Sequence, residues 1–317
     1  MEILSMITTI TLNPALDRLL SVDEIIIGEA NRTRRLSESA AGKGIDVAKV
    51  LRDLNCEVSA TGFLGGDVAH VFVDCFQKEK IVNCFMSIKE STRTNIQLFD
   101  KNGKRTEFLE KGPTVTEQEC ELLMTKVMLL AEKSSVITVC GSAPNGVSND
   151  YFRDLIQTAK KSGAIVITDT SGELLKVALN EKPHLIKPNH TEMLELMGKS
   201  DATDDEIIAF AQQLVKNGIP YILVSLGGAG AMLVCEQGVW LGKAPEVDVK
   251  STLGCGDTMV ASLSLSLEKK LPPDVMLKNA IALSSANAMT FETAHIKVED
   301  YEELLARCTV TKLNVPM

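Results

Sequence analysis

The middle of the sequence alternates short apolar runs with stretches of helical periodicity. Runs rich in β-branched residues predict strands at 136–140, 164–168, 184–187 and 221–225. The intervening stretches predict helices at 116–133, 148–162, 190–198 and 203–217. Strands that alternate with helices pair in parallel through right-handed crossovers. This rhythm therefore predicts an α/β fold with a mostly parallel central sheet and helices on both faces.

Polar residues and glycines follow the ends of the predicted strands. The strand at 6–12 ends shortly before Asp17. Later strand ends carry Ser142, Asp169, Lys187, Asn189, Ser225 and Gly227. Any one of these residues is consistent with ordinary turn chemistry. Because ligands of open α/β sheets bind outside the carboxyl ends of the strands, the set predicts one cleft, with Asp17 placed to hydrogen-bond a polyol.

Two segments outside this rhythm predict a second, smaller sheet. Segment 90–112 contains two alternating runs around an Asn102-Gly103 turn, which is a strong hairpin signal. Arg93 and Glu110 flank this hairpin. A two-stranded ribbon is only marginally stable alone. We therefore expect it to pair with the excursion at 18–36 and to form a lid over one end of the main sheet.

Two glycine-rich turns predict anion-binding positions. Gly42-Lys43-Gly44 precedes the apolar positions of one helix, and Gly254-Cys255-Gly256-Asp257 precedes those of another. Amide groups at a helix start can bind an anion, and glycines let the ligand approach the backbone. Asp257 could then accept the proton of a hydroxyl group that attacks a bound phosphate. A solvated lysine in the first turn and an ordinary aspartate turn in the second are the alternatives at this point.

The stretch after the second turn is ambiguous. Residues 262–267 alternate Ser and Leu, which is typical of a strand, whereas Met259, Val260, Leu263 and Leu267 share one helical face. A helix that starts at Asp257 is needed to aim its dipole at a phosphate. The periodicity alone leaves the choice open, and we expect a helix here only because the family resemblance described below implies one.

The composition argues against several classes of protein. With 42 acidic and 33 basic side chains, a net charge of −9 and 4% aromatic residues, a nucleic-acid-binding surface is not expected. The eight cysteines form no C-x-x-C pair, so we expect no structural zinc and reduced thiols, as in the cytoplasm. No run of 18 apolar residues occurs, and neither secretion nor membrane binding is expected.

Five dispersed motifs occur in a characteristic order. They are Thr9–Asp17, Ala41–Ile45, Lys187–Asn189 followed by Glu192, Ser225–Gly227 and Gly254–Asp257. In this order they resemble the PfkB (ribokinase-like) carbohydrate kinases, in the branch of 1-phosphofructokinases and tagatose-6-phosphate kinases. The resemblance spans nearly the whole chain and implies a single ribokinase-like α/β domain over residues 1–317. It identifies segments 18–36 and 90–112 as the family's β-lid, which often mediates dimerisation, and so implies a homodimer.

The resemblance also implies roles for individual residues. Asp257 would be the catalytic base, and the amides of Gly254, Cys255 and Gly256 would bind the transferring phosphoryl group. The sugar-phosphate site would comprise Asp17, Gly42, Lys43, Gly44, Asp46, Arg93 and Glu110, with Arg93 holding the substrate phosphate. The nucleotide site would comprise Lys187, Asn189, Glu192, Ser225, Gly227, Thr252 and Asn287, with Asn287 near the adenine. Glu192 would organise Mg²⁺ through water.

The implied activity is ATP- and Mg²⁺-dependent phosphorylation of a ketohexose phosphate. Residues 40–45 and 248–256 resemble the 1-phosphofructokinases, whereas residues 106–113 resemble the tagatose-6-phosphate kinases. Each substrate is a furanose with a phosphomethyl and a hydroxymethyl arm, so one site could accept either by exchanging the ends. Fructose 1-phosphate is the favoured substrate and tagatose 6-phosphate the alternative. A catalytically weakened sugar-phosphate-binding protein is the second alternative.

Three residues depart from the family pattern. Asp46 stands where the family usually has Asn, Cys255 where it has Ala or Ser, and Ser262 where it has Ala or Gly. Asp46 would add negative charge near a phosphosugar. A thiol at a helix start is expected to have a lowered pKa, which predicts that Cys255 is sensitive to alkylation.

Overall fold

Most strands of the molecule belong to one twisted, mostly parallel sheet. The structure is a computed structural model, and it describes residues 6–315. Its strands are β1 (Met6–Thr11), β2 (Ala15–Ser21), β3 (Arg34–Ala41), β4 (Val58–Gly65), β5 (Val82–Asn83), β6 (Met86–Ile88), β7 (Arg93–Phe99), β8 (Arg105–Leu109), β9 (Ser134–Cys140), β10 (Ile165–Asp169), β11 (Leu185–Ile186), β12 (Tyr221–Ser225), β13 (Ala231–Cys235), β14 (Gly238–Lys243) and β15 (Thr309–Leu313).

The main sheet has eleven strands in the order β15-β14-β13-β12-β11-β10-β9-β1-β4-β5, with β6 also beside β4. Pairing is parallel from β5 to β12. It is antiparallel from β12 to β15. The expected α/β architecture is therefore confirmed, with an antiparallel extension that the sequence pattern did not reveal.

Helices cover both faces of this sheet. They are α1 (Lys43–Asp53), α2 (Ala69–Lys78), α3 (Glu117–Ala131), α4 (Asn149–Lys161), α5 (Gly172–Glu181), α6 (His190–Met197), α7 (Asp204–Lys216), α8 (Cys255–Glu268), α9 (Pro273–Ala288) and α10 (Val298–Arg307). Consecutive strand residues alternate between two buried clusters: Val136 packs with α1, α8 and α9, and Ile137 packs with α3 and α4. The two faces therefore bury separate cores.

The small second sheet is present as expected. Its order is β3-β2-β7-β8, so both predicted lid segments contribute to it. β2 and β7 are parallel neighbours, and Asp17 lies opposite Asn95 in their register. The strands extend beyond the predicted lid bounds, because β2 begins at Ala15 and β3 ends at Ala41. Asp17 is consequently a residue of a lid strand and not of the turn after β1.

The ambiguous stretch after Gly254 is helical. α8 begins at Cys255, two residues before the expected start. The hydroxyl group of Ser264 donates to the Val260 carbonyl oxygen at 2.8 Å, so this polar side chain is satisfied inside a buried helix. The Ser262 hydroxyl is also buried but has no hydrogen-bond partner within residues 6–315. The Ser-Leu alternation was therefore misleading, because the serines are as buried as the leucines.

Length and polarity separate the helices of this protein from membrane-spanning ones. Within the described residues, no helix is both long enough and apolar enough to cross a bilayer.

Candidate active site

The carboxyl edge of the main sheet brings charged side chains from several elements together. Asp169 ends β10, and Lys187 directly follows the neighbouring strand β11. Lys43 is the first residue of α1, which begins after Gly42 and confirms that this turn opens a helix. The Nζ atoms of Lys43 and Lys187 lie 3.3 and 3.4 Å from the same oxygen, Asp169 Oδ1. Three separate elements thus converge on one carboxylate.

The turn before α8 is where the sequence predicts an anion-binding backbone, and anion binding there stays a prediction. Gly254 has φ of 77°, a left-handed conformation that favours glycine, and caps the helix. A Cβ on Gly254 would lie 2.8 Å from the Ala294 amide nitrogen, and one on Gly256 would lie 3.2 Å from Lys187 Nζ. The first amides of a helix lack intrahelical acceptors, so they can bind an anion. The left-handed φ and the close backbone neighbour require glycine at position 254, whereas a Cβ at position 256 would meet only the end of the Lys187 side chain.

Asp257 is buried in the first turn of α8. Burial raises the pKa of its carboxyl group well above the ordinary value, and the nearby carboxylates of Asp46 and Asp169 raise it further. Lys43 and Lys187 oppose this effect. A carboxylate whose pKa is moved toward neutrality is suited to accept a proton at physiological pH.

Asp17 and Asp46 form the side of the site that faces the small sheet. Asn95 Nδ2 donates to Asp17 Oδ1 at 2.9 Å. Burial raises the pKa of Asp17 to about 6, opposed by the Asn95 hydrogen bond and reinforced by the charge of Asp46. Asp46 is itself buried and lies 3.2 Å from Lys49 Nζ, which also donates to the Ala40 carbonyl oxygen at 2.8 Å. The negative charge that departs from the family pattern therefore has a buried counter-ion.

Arg93 and Glu110 connect the hairpin to the chain after β1. The Arg93 guanidinium donates to the carbonyl oxygens of Asn13 (3.0 Å), Glu110 (3.1 Å) and Pro14 (3.4 Å). The Glu110 carboxylate accepts from the Thr94 amide at 2.7 Å. Burial lowers the pKa of Arg93, while Asp17 and Glu110 act in the opposite direction. The structure thus places both residues at the base of the lid, and a phosphate-binding role for Arg93 stays a prediction.

A cavity of about 610 Å³ adjoins the turn before α8. Its lining includes the predicted residues Ser225, Gly227, Thr252, Cys255 and Gly256. Much of the remaining lining is small or apolar, as in Ala244, Val247 and Ile281. A pocket with this mixture fits a flat, largely apolar ring system with polar groups at one end.

Three other predicted nucleotide residues, Asn189, Glu192 and Asn287, have defined hydrogen-bond partners. Asn189 and Glu192 form a capping box at the start of α6: each donates its backbone amide to the other's side chain at 2.8 Å. Asn287 is buried, and its Nδ2 donates to the Leu253 carbonyl oxygen at 2.8 Å and to Cys255 Sγ at 3.4 Å. Among the described residues, those that line the cavity do not include Asn287. Its contacts are with the catalytic turn.

The prediction of an acidic thiol at Cys255 is wrong. Burial raises the pKa of this thiol, and hydrogen bonds with Asn287 and Ser284 only partly oppose the rise. Sγ donates to the Ser284 carbonyl oxygen at 3.4 Å, so the thiol is hydrogen-bonded to α9 at the wall of the cavity. The helix start alone was a poor guide, because burial of the thiol disfavours its charged form.

Sequence reasoning overlooked three residues of the site. Lys49 and Asn95 were not singled out, although Lys49 is three residues after Asp46 on α1. Asp169 was seen only as one of several strand-end residues, whereas it joins both active-site lysines. The i,i+3 spacing could have revealed Lys49, but only the tertiary register of β2 and β7 reveals Asn95.

Comparisons with known proteins agree with this geometry. Residues 8–300 match the family model described as pfkB family carbohydrate kinase. The chain is 34% identical over 311 residues to a tagatose-6-phosphate kinase of Staphylococcus epidermidis (strain ATCC 12228), covering 97% of this chain and 100% of that protein. It is 35% identical over 300 residues to a 1-phosphofructokinase of Escherichia coli (strain K12), covering 95% of each chain.

A solved structure has the same fold. Phosphofructokinase-2 from Escherichia coli, crystallised in complex with potassium, superposes with a TM-score of 0.91 and 28% sequence identity. The superposition covers 96% of this chain and 99% of that one. The similarity therefore includes the small sheet as well as the main one.

Proposed function

Because the chain belongs to the pfkB family of carbohydrate kinases, we propose that it transfers the γ-phosphoryl group of ATP to a primary hydroxyl group of a ketohexose monophosphate. The observation that carries this proposal is the position of Asp257. Its carboxylate is buried at the start of α8, next to the glycine turn and within electrostatic range of Lys43 and Lys187. A base beside an anion-binding turn is what phosphoryl transfer requires.

In the proposed reaction, Asp257 accepts the proton of the sugar hydroxyl group. The hydroxyl oxygen forms a bond to the γ-phosphorus, and the bond from that phosphorus to the β,γ-bridging oxygen breaks, so ADP leaves with the bridging oxygen. The amides of Gly254, Cys255 and Gly256 bind the transferring group, with the Lys187 ammonium beside Gly256. Donors that are fixed in place before the reaction stabilise developing charge at little cost in reorganisation.

We propose that the cavity near Ser225 and Thr252 holds the nucleotide. Its volume of about 610 Å³ suits an adenosine group, and it opens onto the glycine turn where the phosphates would lie. Glu192 uses Oε2 in the capping box with Asn189, and Oε1 accepts no hydrogen bond within the described residues. Mg²⁺ prefers oxygen ligands and keeps several waters, so Oε1 suits a magnesium-bound water. When bound, Mg²⁺ would neutralise charge on the phosphates.

On the other side of Asp257, the proposed sugar site comprises Asp17, the Gly42–Gly44 turn and Asp46. Asp17 supplies an acceptor for sugar hydroxyl groups, and Arg93 supplies the cation at the base of the lid. Fructose 1-phosphate is the proposed substrate, because the resemblance around Ala40–Ile45 and 248–256 is to the 1-phosphofructokinases. Tagatose 6-phosphate is the second candidate, since a tagatose-6-phosphate kinase is 34% identical over 97% of the chain.

A substrate panel tests this proposal. Purified protein is incubated with Mg·ATP and fructose 1-phosphate, tagatose 6-phosphate, fructose 6-phosphate or the unphosphorylated sugars, and ADP release is measured. We expect the highest kcat/KM with fructose 1-phosphate. A preference for tagatose 6-phosphate would select the second candidate. No turnover with any sugar would contradict the kinase activity, and binding of a sugar phosphate without turnover would support a catalytically weakened sugar-phosphate-binding protein instead.

The Asp257→Asn variant tests the assigned base. General-base catalysis contributes about 10²–10⁴-fold, so we expect kcat to fall by that factor while the affinity for ATP changes little. Turnover at the wild-type rate would contradict the role of Asp257 and leave the substrate assignment standing.

A further inference from the structure

Asp169 is a buried carboxylate to which the proposed reaction assigns no role. Its side chain is 1% exposed, and its Oδ1 faces the ammonium groups of Lys43 and Lys187 at 3.3 and 3.4 Å. The two lysines differ in accessibility, with exposed side-chain fractions of 39% for Lys43 and 5% for Lys187. One carboxylate oxygen therefore holds one solvent-accessible cation and one buried cation.

The charges of this cluster are not evenly matched. A single carboxylate neutralises one of the two ammonium groups, and two cations at one oxygen repel each other. Asp169 Oδ2 is buried and has no hydrogen-bond partner within residues 6–315. A buried ion pair is stable only when its remaining lone pairs and protons are also satisfied. Within residues 6–315, Asp169 Oδ2 thus lacks the partner that a buried ion pair needs, which favours exchange of the lysines to a stronger anion.

The place that such an anion would occupy is next to the cluster. Lys187 Nζ lies 3.2 Å from where a Cβ on Gly256 would be, so the ammonium group borders the phosphoryl-binding turn. Lys43 lies at the start of α1, where the helix dipole also favours an anion. Phosphate oxygens accept hydrogen bonds from lysine as readily as a carboxylate does.

We propose that Asp169 is a positioning residue that holds the Lys43 and Lys187 ammonium groups at the edge of the phosphoryl-binding turn until phosphate oxygens of the bound substrates accept them. This inference rests on the proposed function and adds a step to substrate binding, in which the two lysines move from Asp169 to the phosphates. It requires no covalent change, because the Lys43–Asp169 hydrogen bond and the Lys187–Asp169 ion pair are exchanged for contacts of the same lysines with phosphate oxygens. Without Asp169, the lysines would still carry charge but would lack a fixed starting geometry.

The electrostatics of Lys43 agree with this geometry. Burial lowers the pKa of Lys43, but the carboxylates of Asp169, Asp257 and Glu192 outweigh burial, so the pKa lies above its ordinary value. Asp169 is the largest of these contributions, so its removal should be detectable at Lys43.

The first test measures how strongly Asp169 stabilises the charged form of Lys43, and it does not require enzyme turnover. The protein is treated with a limiting amount of acetic anhydride at pH 8–9, and acetylation of Lys43 is quantified by peptide mass spectrometry relative to the exposed Lys104. Since only the neutral amine reacts, we expect Asp169→Asn to accelerate acetylation of Lys43 about tenfold or more, which corresponds to a pKa fall of about one unit. An unchanged rate would overturn the proposal.

The second test measures positioning. In Asp169→Asn we expect kcat to fall about 10²-fold, as for a misplaced catalytic group, while the affinity for ATP is retained or increased because a negative charge is gone. Faster acetylation with wild-type kcat would overturn the positioning role. If neither protein turned over any sugar phosphate, the proposed function would fail, but a difference in acetylation would still establish that Asp169 holds Lys43.

Two further variants keep these results interpretable. Thr168→Val removes the neighbouring buried, unpartnered hydroxyl without changing charge, and we expect wild-type acetylation and kcat. If Asp169→Asn does not fold, Lys187→Met answers the same question, because it leaves Asp169 to Lys43 alone. Acetylation of Lys43 should then become slower than in the wild type. An equal or faster rate would contradict the proposal that Asp169 is shared between Lys43 and Lys187.

Discussion

At the scale of single residues, burial raises the pKa of both Asp17 and Asp257, but the two carboxyl groups have different proposed roles. Burial is the largest contribution to the raised pKa of each carboxyl group, and the charge of Asp46 raises both. Asp257 lies between cations, which suits a proton acceptor beside a phosphoryl group. Asp17 instead receives a hydrogen bond from Asn95, which stabilises its ionised form as an acceptor for sugar hydroxyl groups.

The first prediction concerns the pH dependence of sugar use. The pKa of Asp17 is about 6, and its ionised form is the one that accepts hydrogen bonds, so kcat/KM for the sugar phosphate should fall as pH drops through about 6. Substrate phosphate also titrates in this range. Asp46→Asn separates the two effects, because it lowers the pKa of Asp17 without altering the substrate.

The measurement is kcat/KM for the sugar phosphate at saturating ATP between pH 5 and 8. We expect the acidic limb of Asp46→Asn to lie at lower pH than that of the wild type, since the variant lacks the charge that raises the pKa of Asp17. If the acidic limbs of the two pH profiles coincided, the group that titrates would be the substrate phosphate and not Asp17.

The second prediction concerns the thiol of Cys255. Burial raises its pKa, so at pH 7.5 iodoacetamide should modify Cys255 several-fold more slowly than the thiol of a short unstructured peptide. Mass spectrometry of the alkylated protein gives both rates in one experiment. Preferential alkylation of Cys255 over the peptide would instead restore the expectation drawn from the sequence.

At the scale of elements, the start of α8 depends on the loop that follows α9. The Ala294 amide nitrogen lies 2.8 Å from where a Cβ on Gly254 would be. The same loop is bound to α1, because the Ile296 amide donates to Asp53 Oδ2 at 2.9 Å. The phosphoryl-binding turn is therefore supported from behind by a loop and by a helix distant in sequence.

The third prediction follows from this support. Gly254→Ala combines a strained left-handed φ with a contact of 2.8 Å to the Ala294 backbone, and we expect it to lower the free energy of unfolding by about 3 kcal/mol. Gly163→Ala is the matched control, because Gly163 has φ of 85° but nothing within 4 Å of the added Cβ. Gly163→Ala should lower the free energy of unfolding by about 1 kcal/mol, which is the effect of the left-handed backbone alone. If urea denaturation gave equal decreases in the free energy of unfolding for the two variants, the loop at Ala294 would have moved to accommodate the added Cβ without a free-energy penalty.

The sequence predicted strands and helices most accurately in segments whose apolar residues have only one clear periodicity. Strands β9, β10 and β12 and helices α4 and α7 were located from apolar spacing to within about two residues. The helix α5 was missed because Gly172 at its first position indicated only a turn. The antiparallel strands β13 to β15 were missed because their partners are set by tertiary pairing.

The site could be predicted only in part for a related reason. Glycine turns and strand-end residues have local signatures, so the Gly42–Gly44 and Gly254–Asp257 turns were found in the sequence. Contacts such as Lys43 and Lys187 with Asp169 join residues more than a hundred positions apart or on different strands, and no local pattern encodes them. The Cys255 pKa was predicted in the wrong direction because burial was not visible in the sequence.

At the scale of the whole molecule, the lid carries apolar surface that its own chain leaves exposed. Ile27 in the β2–β3 connection is 95% exposed, and Phe108 on β8 is 53% exposed. Phe108 lies opposite Ile96, one residue out of phase with the Asp17 and Asn95 pair, so it is on the lid face away from Asp17. An apolar face of this kind on an exposed sheet is typical of a protein interface.

The fourth prediction is that two copies of the chain associate through this lid face. Burying Phe108 against the same face of a second copy gives a two-fold interface, in which the Phe108 side chains of both copies are removed from water. Phe108→Glu places a charge in that interface and should convert the dimer into a monomer. Phe291→Glu is the matched control, since Phe291 is 80% exposed but lies outside the lid.

Sedimentation equilibrium over a range of protein concentrations distinguishes the outcomes. We expect a dimer for the wild type and for Phe291→Glu, and a shift toward monomer for Phe108→Glu with unchanged thermal stability of the monomer. If Phe291→Glu dissociated the dimer instead, the interface would lie near the loop after α9. Because Asp17, Asn95 and Arg93 all belong to lid strands, loss of the lid interface should also raise KM for the sugar phosphate more than KM for ATP. Equal changes in the two KM values would show that the lid holds its sugar-binding geometry without a partner.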